Sequence, residues 1–224
     1  MPAISIATVA IYTPVSGSGG NRSTGNITLD ANVNDLIIGL SGSFGAGGGV
    51  DYPDEVWWGT EGVAQQLSTE ALIEAGLSNA EWVRLFRLRR PSPGTYAVWT
   101  TVDTGVLSAM VVWQIRGGIV STTDTGATTT SFNDLINVSL SPVQNGGWNF
   151  YIGHSQSGVG GETWTNLNTG GQQTSSVFST VGAWEPASAP DDASTYGSAG
   201  NDGRRVAVGA AYKSAPGGQV IIVQ

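Results

Sequence analysis

Between Trp82 and Gly118 the chain reads WVRLFRLRR, then PSPGTYAVWTTV, then LSAMVVWQIRGG, with almost no spacer. Arg89-Arg90-Pro91-Ser92-Pro93-Gly94 cannot continue a regular strand or helix, because two prolines fix φ and remove two backbone donors. The flanking runs are β-branched, aromatic or leucine-rich and of strand length. This block predicts a strand, a tight turn and two further strands with no connecting helix. It sets the expected class of the whole chain, an antiparallel β-sandwich of jelly-roll type.

The remaining segments fit that class. Ile4–Tyr12 reads as a first strand, Pro14–Gly25 as a Ser/Gly loop, and Asn26–Leu29 as a short strand. Asp35–Ser41 is apolar on both faces, as a central strand covered on two sides would be. Val56–Gly59 reads as an edge segment. Ser68–Ala75 (STEALIEA), with a capping Ser or Thr and Gly76 behind it, predicts one short helix or loop insertion around residues 68–76. Ser121–Ser131 reads as an exposed connection or edge strand. Leu135–Leu140 and Trp148–Gly153 read as strands joined through Gln144-Asn145-Gly146-Gly147, a hairpin signal. Ser175–Val181, Arg205–Tyr212 and Gln219–Val223 are further strands, and Glu185–Gly203 reads as a long polar loop. The whole of residues 1–224 is expected to be a single sandwich domain, with an N-terminal strand and Ser/Gly-rich loop over 1–33 and the sandwich body over 34–224. The letters NDLI occur twice, at Asn34–Ile37 and Asn133–Ile136, which raises internal duplication without establishing it.

Composition narrows the chemistry. A chain with 33 glycines and only 12% charged residues looks like low complexity, but eight tryptophans argue for a folded core. The net charge of −8 speaks against nucleic acid as partner, since counterion release needs a basic footprint. Arg84, Arg87, Arg89, Arg90, Arg204 and Arg205 are expected instead to pair with the 17 acidic residues. With no cysteine there is no disulfide, thiol chemistry or Cys-ligated zinc. No apolar run approaches the roughly 20 residues of a membrane-spanning helix.

Candidate sites are few. His154 is the only histidine and shares a face by alternation with Trp148, Phe150 and Ile152, which predicts a place at the edge of the core. Asp51-Tyr52-Pro53-Asp54-Glu55, and Asp191-Asp192 with Asn201-Asp202, are carboxylate clusters in loops without a calcium-loop spacing. No strand carries the paired carboxylates of a glycoside hydrolase. No catalytic, metal or cofactor site is therefore expected. Trp57, Trp58, Trp164 and Trp184 lie in turn-rich segments where an indole could face solvent, as a glycan platform or a subunit interface. Adjacent Trp57 and Trp58 must point to opposite sides of a strand, so one is expected outside and the other inside.

From Asn34 onward the order NDLIIGLSGS, EVWWGTEGVAQQL, WVRLFRLRR, RPSPGTYAVWTTV, LSAMVVWQIRGG, WNFYIGHS and RRVAVGAAYKSAPGGQVIIVQ resembles a family of glycine-rich β-sandwich domains of phage virion proteins and bacterial surface proteins. The resemblance implies a structural or adhesive role without catalytic residues. The segment STEALIEAGLSNAE departs from it and is expected to protrude. The N-terminal MPAISIATVAIYTPVSGSGG does not read as a signal peptide. Together these features lead to an expected non-enzymatic phage virion structural protein, a capsid decoration or tail- or fibre-associated component. Its expected partners are other virion subunits and its own copies, with a trimer as the first guess. The alternative is a lectin-like carbohydrate-binding module recognising host surface glycan.

Overall fold

The computed structural model describes residues 5–12, 20–44, 53, 55–63, 69–76, 81–102, 106–116, 119–130, 135–140, 147–155, 162–165, 168–174, 179–186, 192–197 and 204–214. All regular structure among them is antiparallel β-strand. The first half holds β1 (Ser5–Tyr12), β2 (Gly20–Leu29), β3 (Val33–Phe44), β4 (Trp57–Gly59), β5 (Thr69–Gly76), β6 (Glu81–Arg89), β7 (Gly94–Val102) and β8 (Val106–Arg116). The second holds β9 (Ile119–Thr130), β10 (Ile136–Leu140), β11 (Trp148–Ser155), β12 (Thr163–Trp164), β13 (Asn168–Thr174), β14 (Ser179–Pro186), β15 (Asp192–Gly197) and β16 (Arg205–Ser214).

The two halves have the same topology. In the first, a five-stranded sheet of order β1-β8-β3-β6-β5 accompanies a three-stranded sheet β2-β7-β4. In the second, the orders are β9-β16-β11-β14-β13 and β10-β15-β12. Adding eight to every strand number converts one half into the other. The NDLI letters do not mark this repeat: Asn34–Ile37 lies in β3, whose counterpart is β11, whereas Ile136 opens β10, whose counterpart is β2.

Four layers result, in the order three, five, five and three strands. Alternation along each central strand sends successive side chains to opposite faces. Leu36, Ile38 and Leu40 of β3 point towards the small sheet, with Trp82, Phe86 and Val112, and meet Val56, Trp58 and Val98. Ile37 points the other way, with Val83, Leu85, Val111 and Trp113, and meets Trp148, Phe150, Ile152, Val206 and Val208 of the second half. The outer core of the second half mirrors the first, with Tyr151, Val181 and Ala207 against Ile136, Val138, Trp164 and Tyr196. Central strands such as β3 and β11 are therefore apolar on both faces, which is why they read as near-continuous hydrophobic runs. The two five-stranded sheets stack with β3 on β11, β1 on β13 and β5 on β9. This is the reversed order that a two-fold axis running along β3 and β11 requires.

Four expectations are corrected. The Ser/Gly loop expected over Pro14–Gly25 is already strand from Gly20, where β2 opens against β7. The segment expected as a helix around residues 68–76 is β5, paired with β6 from Thr69↔Leu88 to Gly76↔Trp82 across one bulge. Helix propensity is a weak prior, an isolated helix of that length is marginal, and the open edge of β6 offers the backbone a full set of partners. Leu135–Leu140 and Trp148–Gly153 do not form a hairpin. β10 pairs with β15, and β11 with β14 and β16, so the chain crosses between sheets there. The polar stretch Glu185–Gly203 contains β15 rather than being loop throughout. The run Gln219–Val223 lies outside the described residues.

Candidate functional site

Of the four tryptophans singled out from the sequence, three belong to the cores. Trp58 is buried in the first half, and its indole N–H donates to the Ser92 carbonyl at 2.8 Å, fastening the Pro-rich turn. Trp164 occupies the corresponding short strand of the second half and donates to the Val181 carbonyl at 2.9 Å. Trp184 packs on Trp148 in the middle layer, ring centroids 5.4 Å apart. None of these three indoles offers a face to a ligand, because a neighbouring strand covers each one. The expectation that Trp57 and Trp58 face opposite ways holds: Trp57 is half-buried on the outer side of β4.

Trp57 stands directly opposite Trp99 of β7, and the rings stack at 4.5 Å with 22° between planes. Residues paired across these strands share a face. The outer face of the first small sheet therefore carries Asn21 beside Thr101, Ser23 beside Trp99 and Trp57, Asn26 beside Ala97 and Gly59, and Thr28 beside Thr95. Thr28 and Thr95 share a hydrogen bond of 2.8 Å, and Thr101 donates to Asn21 at 3.3 Å. Apart from the two indoles the row is small or uncharged-polar. Trp99 escaped sequence reading because Tyr96-Ala97-Val98-Trp99 looks like any half-buried strand. Only the cross-strand register brings it to Trp57.

The buried ionisable groups are built into the layers. Arg87 donates to Asp35 at 2.8 Å and its guanidinium lies 5.7 Å from the Tyr212 ring centroid, across the middle layer. Arg205 grips Glu162 through Nε and a terminal nitrogen at 3.1–3.3 Å, and Ser155 donates to the same carboxylate at 3.3 Å. Glu81, buried at the start of β6, has Arg204 at 3.8 Å. Arginines 87, 204 and 205 thus pair with acidic residues. The aspartates at 51, 54, 191 and 202 lie outside the described residues or without a described side chain. Among the described residues no group of His, Cys, Asp and Glu is arranged to hold a metal ion.

His154 is fully buried where the two five-stranded sheets meet. Its Nε2 lies 2.8 Å from Ser43 Oγ of the opposite sheet, and its Nδ1 lies 2.8 Å from Thr180 Oγ1, which in turn meets Ser41 Oγ at 2.8 Å. One ring nitrogen donates and the other accepts, so the neutral ring crosslinks the halves through hydroxyls. Burial lowers its pKa from 6.5 to about 3. The unfolded chain takes up a proton below pH 6.5 that the folded protein refuses. Stability from this group is complete above pH 6.5 and is lost as pH falls from there towards 3. Asp35 and Glu81 act with the opposite sign: burial raises both carboxyls, so their cost at neutral pH is relieved on acidification. A His154→Gln variant, which keeps one donor and one acceptor, should be less stable than the parent at pH 7. That gap is expected to narrow steadily between pH 6.5 and 4 in urea titrations. A gap independent of pH would show that the ring is not held neutral.

No family model, curated protein or solved structure matches this chain.

Proposed function

We propose that this chain is a non-enzymatic phage virion structural protein, associated with the capsid surface or with the tail or fibre, and that it acts through protein–protein contacts. The observation carrying this reading is the doubled sandwich. Two halves of one topology are joined back to back through a buried layer that includes Ile37, Trp113, Phe150 and Val208. Such an arrangement is a rigid block. Interiors packed to crystal-like density resist deformation. A virion component is asked to keep its shape, and a rigid block suits that task. Within each half, the first, eighth, third and sixth strands face the second, seventh and fourth, which supports a jelly-roll reading for both. The strand order and Gly-rich turns that resemble virion and surface domains support it further.

The reading also implies self-association, through outward faces rather than through the buried indoles. Light scattering on the purified chain should return a multiple of the 23.1 kDa protomer, with three the first expectation. Electron microscopy and mass spectrometry of particles from the source should find the chain in stoichiometric amounts. A strict monomer at high concentration that is missing from particles would overturn the proposal.

A further inference from the structure

The geometry points to a saccharide-stacking site on the outer face of the β2-β7-β4 sheet, built on Trp57 and Trp99 and bordered by Asn21, Ser23, Asn26 and Thr101. The inference is independent of the virion reading.

Internal duplication makes the first step possible, because the second half shows what the fold itself requires. The short strand of each half carries one core tryptophan, Trp58 in β4 and Trp164 in β12. The residue just before it faces outward. In the second half that residue is Thr163, directly opposite Gly197. In the first it is Trp57, directly opposite Trp99. The same sandwich therefore forms with a threonine and a glycine where the first half spends two indoles. The inward tryptophan is common to both halves and the outward pair is not, so the pair is surplus to folding.

The second step is chemical. Trp57 is the one tryptophan of the eight that is not buried. Trp99 beneath it is only 5% exposed, so Trp57 presents the accessible ring and Trp99 backs it. The polar neighbours Asn21, Asn26 and Thr101 on the same face are exposed. The turn Thr60–Val63, closed by a Val63 N–H to Thr60 carbonyl bond of 2.9 Å, is exposed at all four positions. It runs towards β2, where Gly62 approaches the Asn21 amide.

A flat indole ringed by amides and hydroxyls, without a charged side chain in the row, matches a neutral pyranose. The apolar C–H face of the sugar stacks on the ring while its equatorial hydroxyls take the amide and hydroxyl partners. A nucleotide or an acidic peptide would ask for a cation that this row does not hold.

The test is titration of the full chain with soluble β-linked glucose and N-acetylglucosamine hexasaccharides, followed by tryptophan fluorescence and heteronuclear NMR, alongside a printed glycan array. Saturable binding to at least one neutral glycan is expected, with NMR shifts centred on the Trp57 and Trp99 indoles. Trp57→Thr installs the residue of the second half and should fold, with a far-ultraviolet spectrum like the parent's. It should weaken binding by about tenfold or more, the order expected for losing one aromatic stacking contact. Trp184→Phe, in the middle layer, should leave affinity unchanged. No response to any glycan overturns the proposal, as does glycan binding undiminished in Trp57→Thr. If Trp57→Thr abolishes incorporation into particles while no glycan binds, the pair is a protein contact and the saccharide assignment is wrong.

Discussion

Replacing Glu162 with alanine should cost this protein about 3–5 kcal/mol, the range for stripping one partner from a buried ion pair. Both side chains are fully buried, and Arg205 Nε lies 3.3 and 3.2 Å from the two carboxylate oxygens. Removing the carboxylate leaves a guanidinium that cannot discard its charge, enclosed beside the Tyr196 ring layer and Gly197. The first half shows how dispensable the pair is as a pair. Two residues before its core Trp58 stands Val56, fully buried, where Glu162 stands two residues before Trp164. An apolar residue is therefore compatible with this position of the fold. The double variant Glu162→Val with Arg205→Met should recover most of the loss. Urea titrations of the two single variants and the double give the coupling directly. If Glu162→Ala falls within about 0.5 kcal/mol of the parent, as an ordinary surface substitution does, the pair is solvated and the packing described for this end of β16 is wrong.

The contrast between halves also explains what could and could not be read from sequence. Strand existence was legible wherever β-branched and aromatic residues filled a run between Gly and Pro, as in Trp82–Leu88 and Met110–Ile115. Sheet membership was not. β6, β7 and β8 follow one another closely, yet β7 belongs to a different layer from its neighbours, because a sandwich buries its faces by passing the chain between sheets. The duplication itself was hidden for a related reason. The fold asks for alternation and burial, not for letters, so Leu36, Ile38 and Leu40 of β3 serve the outer core of one half as Tyr151 of β11 serves that of the other. The NDLI match joined strands that are not counterparts. The features that resembled one family pattern from Asn34 to the C-terminal region are distributed over two copies: NDLIIGLSGS and WNFYIGHS supply the third strand of each half, and LSAMVVWQIR and RVAVGAAYK the eighth. Among the tryptophans, sequence could assign opposite faces to Trp57 and Trp58 but could not say that Trp164 and Trp184 were covered. Burial of a residue in a short, glycine-flanked segment is decided by which layer lies over it.

The middle layer should be the most sensitive place in the molecule to a change of volume, and Trp113 is its test. The indole is fully buried between the halves, with Phe150 tilted against it at 5.6 Å. Two glycines from opposite sheets make room for it. A Cβ added at Gly182 would lie 2.6 Å from Cζ2 of the ring, and one added at Gly39 would lie 3.4 Å from Cζ3 and 2.7 Å from Ile152 Cδ1. Trp113→Ala should therefore cost about 3–5 kcal/mol, as large-to-small changes in a rigid core do. Gly182→Ala should cost about 1–3 kcal/mol for the opposite reason, since the ring and Val111 have nowhere to retreat. The decisive measurement is the combination. Trp113→Leu vacates the volume that a methyl group at Gly182 would claim, so Trp113→Leu with Gly182→Ala should be less damaging than the sum of the two changes. Additive losses in a double-mutant cycle would mean that the two residues do not share a site. The halves would then meet less closely than the stacking of β3 on β11 requires, and the rigid block on which the structural reading rests would be in question.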